Sequence, residues 1–172
     1  RQSRILERYH IELSRQTLCE SVLKVAEKIT PLIKHLRKHL LQQPLLHMDE
    51  TRVQVLNEPG KSAQSQSYMW VQRGGPPGKP GILFNYDPSR STQTASHLLA
   101  GYQGTLMTDG YASYRTVAKA NELTHLCCWA HARRKFKEAK KAQPKGKTGK
   151  ADMAISFIAK LYAVEKQSKD SD

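Results

Sequence analysis

The sequence predicts an α/β domain: a mixed five-stranded sheet flanked by helices, with an N-terminal helical lead-in. Three observations predict it. Apolar residues over positions 1–43 recur at three- and four-residue steps, the spacing of one helix face. From residue 45 the pattern changes to short apolar and β-branched runs separated by turn signals. Beyond Ser91, short apolar runs alternate with helical segments, as strands joined by crossover helices do.

The elements follow in order. Residues 1–43 read as helix, carried by Leu18, Val22, Val25, Ile29, Leu32, Ile33, Leu36 and Leu40. Pro31 is expected to kink or divide this helix, and Gln42-Gln43-Pro44 ends it. Lys34, Arg37, Lys38 and His39 give its last part a positive face. Residues 45–56 form a long first strand, and Asn57-Glu58-Pro59-Gly60 turns it back. Residues 68–73 are a second strand, residues 74–81 a Gly/Pro loop, and residues 82–86 a third strand stopped by Asp87-Pro88. Together these three form an antiparallel meander. Ser91 or Thr92 can cap a short helix to about Ala100. Residues 104–108 and 124–128 supply two more strands, with a helix over 112–121 between them and another over 130–142 after them. A basic linker of low complexity spans 143–150, and Asp152 caps a last amphipathic helix to about Gln167. The chain thus divides into a lead-in (1–43), a core (44–142) and a linker with the start of a helical segment (143–172).

This succession matches the ribonuclease-H-like fold, in which the first and fourth strands lie side by side at the sheet centre. Each carries an aspartate, Asp49 and Asp109, at the end of an apolar run. A carboxylate there is costly unless it is paired or holds a metal. Two on neighbouring strands would suit a hard divalent cation, and with it phosphodiester chemistry. Glu50 competes with Asp49 for the role, but adjacent strand residues point to opposite faces. The phase His47-Asp49-Thr51 favours Asp49.

Composition narrows the function. A 172-residue chain can hold one domain with a real core. The formal net charge of +13 suits a polyanionic partner, nucleic acid first. No apolar run approaches the roughly 20 residues needed to span a membrane, and no signal peptide is visible. Cys19, Cys127 and Cys128 make no disulfide framework, so a reducing, cytosolic compartment is expected. A start without Met and an end in Lys169-Asp170-Ser171-Asp172 suggest a fragment of a longer protein.

Other residues invite specific readings. His125, Cys127, Cys128 and His131 have some metal-ligand character, but they straddle a strand and a helix start. Buried cysteines closing a core strand are the simpler expectation. His131 falls close to the expected carboxylates, where it could contact a phosphate or a water. The stretch from His131 to Lys141 is the densest run of positive charge. Within it Arg133, Lys137, Lys140 and Lys141 share one helical face, and with Arg134 they suit phosphate contact, which positions a duplex without reading its sequence. Trp70 and Trp129 are expected in the core rather than as base-stacking platforms. A non-catalytic nucleic-acid-binding module and a nuclease of the same fold are the alternative readings of these residues.

The motifs His47-Met48-Asp49-Glu50-Thr51, Ser67-Tyr68-Met69-Trp70-Val71, Thr108-Asp109-Gly110-Tyr111-Ala112 and Cys128-Trp129-Ala130-His131-Ala132-Arg133-Arg134-Lys135-Phe136 occur in this order. Together they resemble the transposase of the insertion sequence 66 family over about residues 45–167. The resemblance implies a DDE-type DNA transposase with a ribonuclease-H-like catalytic core, cutting and joining strands at transposon ends with Mg²⁺ or Mn²⁺. Asp49 matches the first carboxylate and metal ligand, bridging two ions, and Asp109 the second. The family's third carboxylate, a Glu downstream of the helical segment that begins near Asp152, has no counterpart here, and Glu165 does not match its motif. The upstream zinc-binding and helix-turn-helix regions of the family are also absent, so the chain is expected to be inactive alone. The implied partners are transposon-end and target DNA, with a homo-oligomer formed on DNA ends. The implied location is the bacterial cytoplasm, on the nucleoid.

Overall fold

A computed structural model describes residues 2–142 and 148–169. The lead-in is two helices, α1 (Gln2–Glu7) and α2 (Arg15–Leu41). They are separated at residues 8–14 rather than at Pro31, the position the sequence suggested. His10 adopts a left-handed conformation (φ 57°), its N–H bonds the Glu7 carbonyl at 3.0 Å and the Ile11 N–H bonds the Leu6 carbonyl at 3.1 Å. That pattern closes a helix end. Ser14 then caps α2, its hydroxyl accepting from the Thr17 N–H at 3.0 Å. Pro31 lies inside α2, which runs through it. Most of the apolar residues on which the helix reading rested are exposed: Val22, Val25, Ile29, Leu32 and Ile33 all face solvent. Only the last turns pack, with Leu40 buried and Leu36 and Leu41 against the core.

Five strands follow: β1 (Leu45–Gln54), β2 (Gln66–Gly74), β3 (Gly81–Asp87), β4 (Thr105–Thr108) and β5 (Thr124–Cys127). Their order in the sheet is β3-β2-β1-β4-β5. β1 to β3 form the expected antiparallel meander, and β4 and β5 join β1 in parallel. This is the ribonuclease-H-like arrangement, with β1 at the centre. Helices α3 (Thr92–Leu98) and α4 (Ala112–Ala120) cover one face. Leu46, Met48, Trp70, Leu83 and Leu106 point to that face and meet Leu98, Leu99, Tyr114 and Val117 in a single core. Trp70 is fully buried there, as expected.

The remaining helices are α5 (Trp129–Lys141) and α6 (Lys150–Lys169), which pack on each other. Asp152 does not cap α6 from outside. It sits in the first turn and reaches back to accept the Gly149 N–H at 3.0 Å. Of the expected linker, residues 143–147 lie outside the described residues, as do 170–172 of the final segment. Trp129, expected in the core, is 54% exposed because it opens α5 beyond the end of β5. The cysteines are not buried either: Cys19 and Cys127 are exposed and Cys128 is half-buried. No helix among the described residues is long and apolar enough to cross a membrane.

Candidate active site

The chain adds β2 and β3 on one side of β1 and then crosses to add β4 and β5 on the other. In open α/β sheets a crevice forms at such a reversal, beyond the carboxyl ends of the parallel strands. Here it is a cleft of about 820 Å³. Its position follows from strand register. Leu45 pairs with Thr105, Leu46 with Leu106 and His47 with Met107. Continued at the same offset, the register sets Asp49 level with Asp109. Phase agrees: Leu46 and Met48 on β1, and Leu106 and Thr108 on β4, point into the core, so both aspartates take the opposite face.

Both line the cleft, and both are held in the same way. Asp49 Oδ1 accepts the Glu50 N–H at 2.9 Å, and Asp109 Oδ1 accepts the Tyr111 N–H at 2.9 Å. One oxygen of each carboxylate is thereby fixed to main chain. The other, Oδ2, faces a basic side chain: His131 Nε2 lies 3.4 Å from Asp49, and an Arg90 terminal nitrogen 3.9 Å from Asp109.

α5 is anchored at its start, where the Cys128 N–H donates to the Thr108 carbonyl at 2.8 Å. This carries His131 over the sheet. Its Nδ1 is buried and has no hydrogen-bond partner among the described residues. The helix face over the cleft is His131, Arg134, Lys135 and Glu138, at steps of three and four. Of the basic residues singled out from sequence, His131 and Arg134 therefore line the cleft, while Arg133, Lys137, Lys140 and Lys141 do not. Lys140 is engaged elsewhere, 2.5 Å from Asp152 of α6. Lys135, which sequence reasoning left out, lines the cleft and pairs with Glu138 at 3.3 Å.

Sequence reasoning also missed the support beneath the site. Glu50 points to the core side, its side chain 1% exposed, where Arg90 pairs with it and the Tyr114 hydroxyl donates to it. Arg90 stacks on the Tyr111 ring, 3.8 Å from its centroid, and the Tyr111 hydroxyl donates to the Arg90 carbonyl at 2.7 Å. One arginine thus joins the buried Glu50 to Asp109. The available signal was Glu50 itself: a charge on the core phase of a strand calls for a buried partner. Nothing in the sequence pointed to Arg90, forty residues away, as that partner.

Two histidines flank the site in partly buried positions. Burial, then Arg73, holds His47 below the usual histidine range, and burial, then Arg115, does the same to His125. His125 Nε2 contacts the Thr108 hydroxyl at 2.8 Å, and that hydroxyl donates its proton to the Asp109 carbonyl. Both contacts are satisfied together when His125 Nε2 carries a proton and donates. A histidine with a lowered folded pKa binds fewer protons folded than unfolded below about pH 6.5. Stability from these groups is whole above that pH and is lost as pH falls through their folded values. Urea unfolding should give a lower midpoint at pH 5 than at pH 7.5, and His47→Gln with His125→Gln should reduce the difference. An equal difference in the double variant would assign it to other groups.

Among the described residues no three His, Cys, Asp or Glu side chains converge closely enough to share an ion. The His125, Cys127, Cys128 and His131 set accordingly does not come together as a zinc site. For a divalent cation at the aspartates the donor set fits in kind: two carboxylates, each with one oxygen free of main-chain bonds. Mg²⁺ is commonly held by one or two carboxylates, with water and phosphate oxygens completing its shell.

Comparison with known proteins finds several that resemble the chain. The intasome of simian T-cell lymphotropic virus, solved by cryoEM in complex with PP2A regulatory subunit B56 gamma, contains a similar chain. It is 12% identical, with a TM-score of 0.39, over 69% of this chain and 48% of that one. Uncharacterized protein y4jD of Sinorhizobium fredii is 32% identical over 182 residues, covering 97% of this chain and 34% of that protein. Uncharacterized protein y4qI of the same organism is 26% identical over 184 residues, covering 100% and 33%. The chain spans about a third of the length of these curated relatives. A family model described as Transposase IS66 family matches residues 1–172, the whole chain. The chain belongs to the IS66 family of DDE transposases.

Proposed function

We propose that this chain supplies two of the three acidic side chains around the reacting DNA phosphate of an IS66 transposase, and that Asp49 and Asp109 are those two. The observation that carries this reading is their common setting: each two residues beyond the last matched pair of the adjacent parallel strands β1 and β4, both lining one cleft, with one oxygen tied to main chain. The third acid is proposed to come from outside these residues. Glu50 faces the core and Glu138 is paired with Lys135.

Asp49 and Asp109 would hold Mg²⁺ or Mn²⁺ through their Oδ2 atoms. When bound, such an ion activates an attacking oxygen and stabilises a leaving one. The chain's own residues do the rest. His131 and Arg90 hold the two Oδ2 atoms in place before DNA arrives. Arg134 and Lys135, overlooking the cleft, would meet phosphates next to the scissile one, with charge-assisted bonds that position rather than read sequence. Arg133, Lys137 and Lys141, on neighbouring faces of α5, would meet DNA further out. We place the protein on DNA in the bacterial cytoplasm, working as a homo-oligomer on transposon ends.

Metal dependence tests the reading. A transposase carrying this chain should cleave and join end-bearing duplex DNA in Mg²⁺ or Mn²⁺ and do neither in EDTA. Cleavage without joining would make it a nuclease of the same fold. Binding without any metal-dependent product would make it a non-catalytic DNA module.

A further inference from the structure

The last two turns of α2 carry Lys34, Arg37, Lys38 and Leu41 at steps of three and four, on a single face. Across from them is Gly101, in the turn leading to β4. Its φ is 83°, and nothing lies within 4 Å of where a Cβ would stand, so the backbone there is open to close approach. Between the two lies a groove of about 400 Å³, and no acidic side chain among the described residues lines it. Lys34 and Lys38 are like charges four residues apart, an unfavourable pair on a helix. Neither has an ion-pair partner among the described residues. The Arg37 guanidinium is fixed by donating to the His97 carbonyl at 2.9 Å, which leaves its charge and its other N–H groups facing the groove.

The groove sits at the amino end of β4, and Asp109 follows its carboxyl end. Four strand residues, about 13 Å of chain, separate the two levels. The groove is therefore no part of the cleft. We propose that it binds the sugar-phosphate backbone of duplex DNA at a distance from the scissile phosphate, with Lys34 and Lys38 as phosphate contacts and Arg37 as a fixed cation between them. Three converging cations relieved by an anion, an open backbone turn and a chain of net charge +13 favour a polyanion. The lining holds no fork of donors and acceptors arranged to read base edges, so the contact is independent of sequence. This inference rests on the proposed DNA substrate but not on the carboxylate chemistry.

The test is the salt dependence of DNA binding. Fluorescence anisotropy with a labelled duplex, in EDTA, gives the slope of log K against log salt. Removing one lysine–phosphate pair lowers the slope by about 0.9, so Lys34→Ala with Lys38→Ala should lower it by about 2. Lys34→Arg with Lys38→Arg should restore it. Lys24→Ala with Lys28→Ala, the same spacing on α2 outside the groove, should leave the slope nearly unchanged. An unchanged slope in the groove variant, or an equal drop in the Lys24/Lys28 variant, would overturn the proposal. Because no metal is present, the outcome is separate from that of the catalytic reading. Groove variants can fail while the aspartates prove essential, and the reverse.

Discussion

Asp49→Asn and Asp109→Asn should each lower strand cleavage and strand joining by about 10³-fold or more in a transposase carrying this chain. Asparagine keeps the size of the side chain and the oxygen that accepts the main-chain N–H, so the strand end keeps its shape. What goes is the negative charge that would hold a cation. Lewis-acid stabilisation at a phosphoryl centre is worth several kcal/mol, and about 4 kcal/mol corresponds to about 10³-fold in rate. DNA binding should persist, because a negative charge is removed from beside Arg134 and Lys135. The measurements are product formation on end-bearing DNA and a thermal melt of each variant. Cleavage within tenfold of the parent, in a folded variant, would remove that aspartate from the site.

Glu50→Ala has its largest effect on stability. The Glu50 carboxylate lies in the core beneath the site, paired with Arg90 and accepting from Tyr114. Tyr114 is fully buried, and burial, then Glu50, pushes its phenol pKa well up, so it stays a neutral donor. Without Glu50 that hydroxyl loses its acceptor in an apolar surrounding, which costs about 1–3 kcal/mol. The vacated volume adds to this. Arg90, about a third exposed, can turn to water, so its share is small. We expect a total near 3 kcal/mol and, for a chain of this size, a melting temperature lower by about 6–12 °C. Glu50→Gln, which keeps an acceptor for Tyr114, should fall in between. A Glu50→Ala variant that melts with the parent would show that the Arg90 and Tyr114 contacts do not hold this region together.

That these neighbours take opposite faces, Asp49 toward the cleft and Glu50 away from it, was legible in the sequence. Period-two alternation of Leu46 and Met48 against His47 fixes which side Asp49 takes, whatever the rest of the fold. The sheet order was legible from the succession of elements: three strands linked by turn signals read as a meander, helical crossovers bring the later strands in parallel, and the ribonuclease-H-like fold that this succession matches sets the first and fourth strands side by side. Other features were set by contacts that local pattern does not encode. The lead-in breaks where His10 turns left-handed, with no glycine or proline to announce it, while Pro31 is tolerated inside α2. Basic residues surround α5, so charge spacing fitted Arg133, Lys137, Lys140 and Lys141 as well as the face that meets the cleft. What selects His131, Arg134 and Lys135 is the anchoring of Cys128 to β4, a tertiary contact. Lys140 was spoken for by Asp152, which packs against it only once α6 folds back.

The shared offset between β1 and β4 has an evolutionary consequence. Asp49 and Asp109 face one cleft only because each stands two residues beyond the last paired position, His47 against Met107. A single-residue deletion between His47 and Asp49, or between Met107 and Asp109, would swing one carboxylate into the core. Insertions in these strands are therefore closed to drift, whatever residues they bring. The glycine- and proline-rich turn between β2 and β3 joins antiparallel neighbours on the far side of β1 and is free to change length. Descendants of this sequence should accumulate gaps there and almost none in the few residues that set the count.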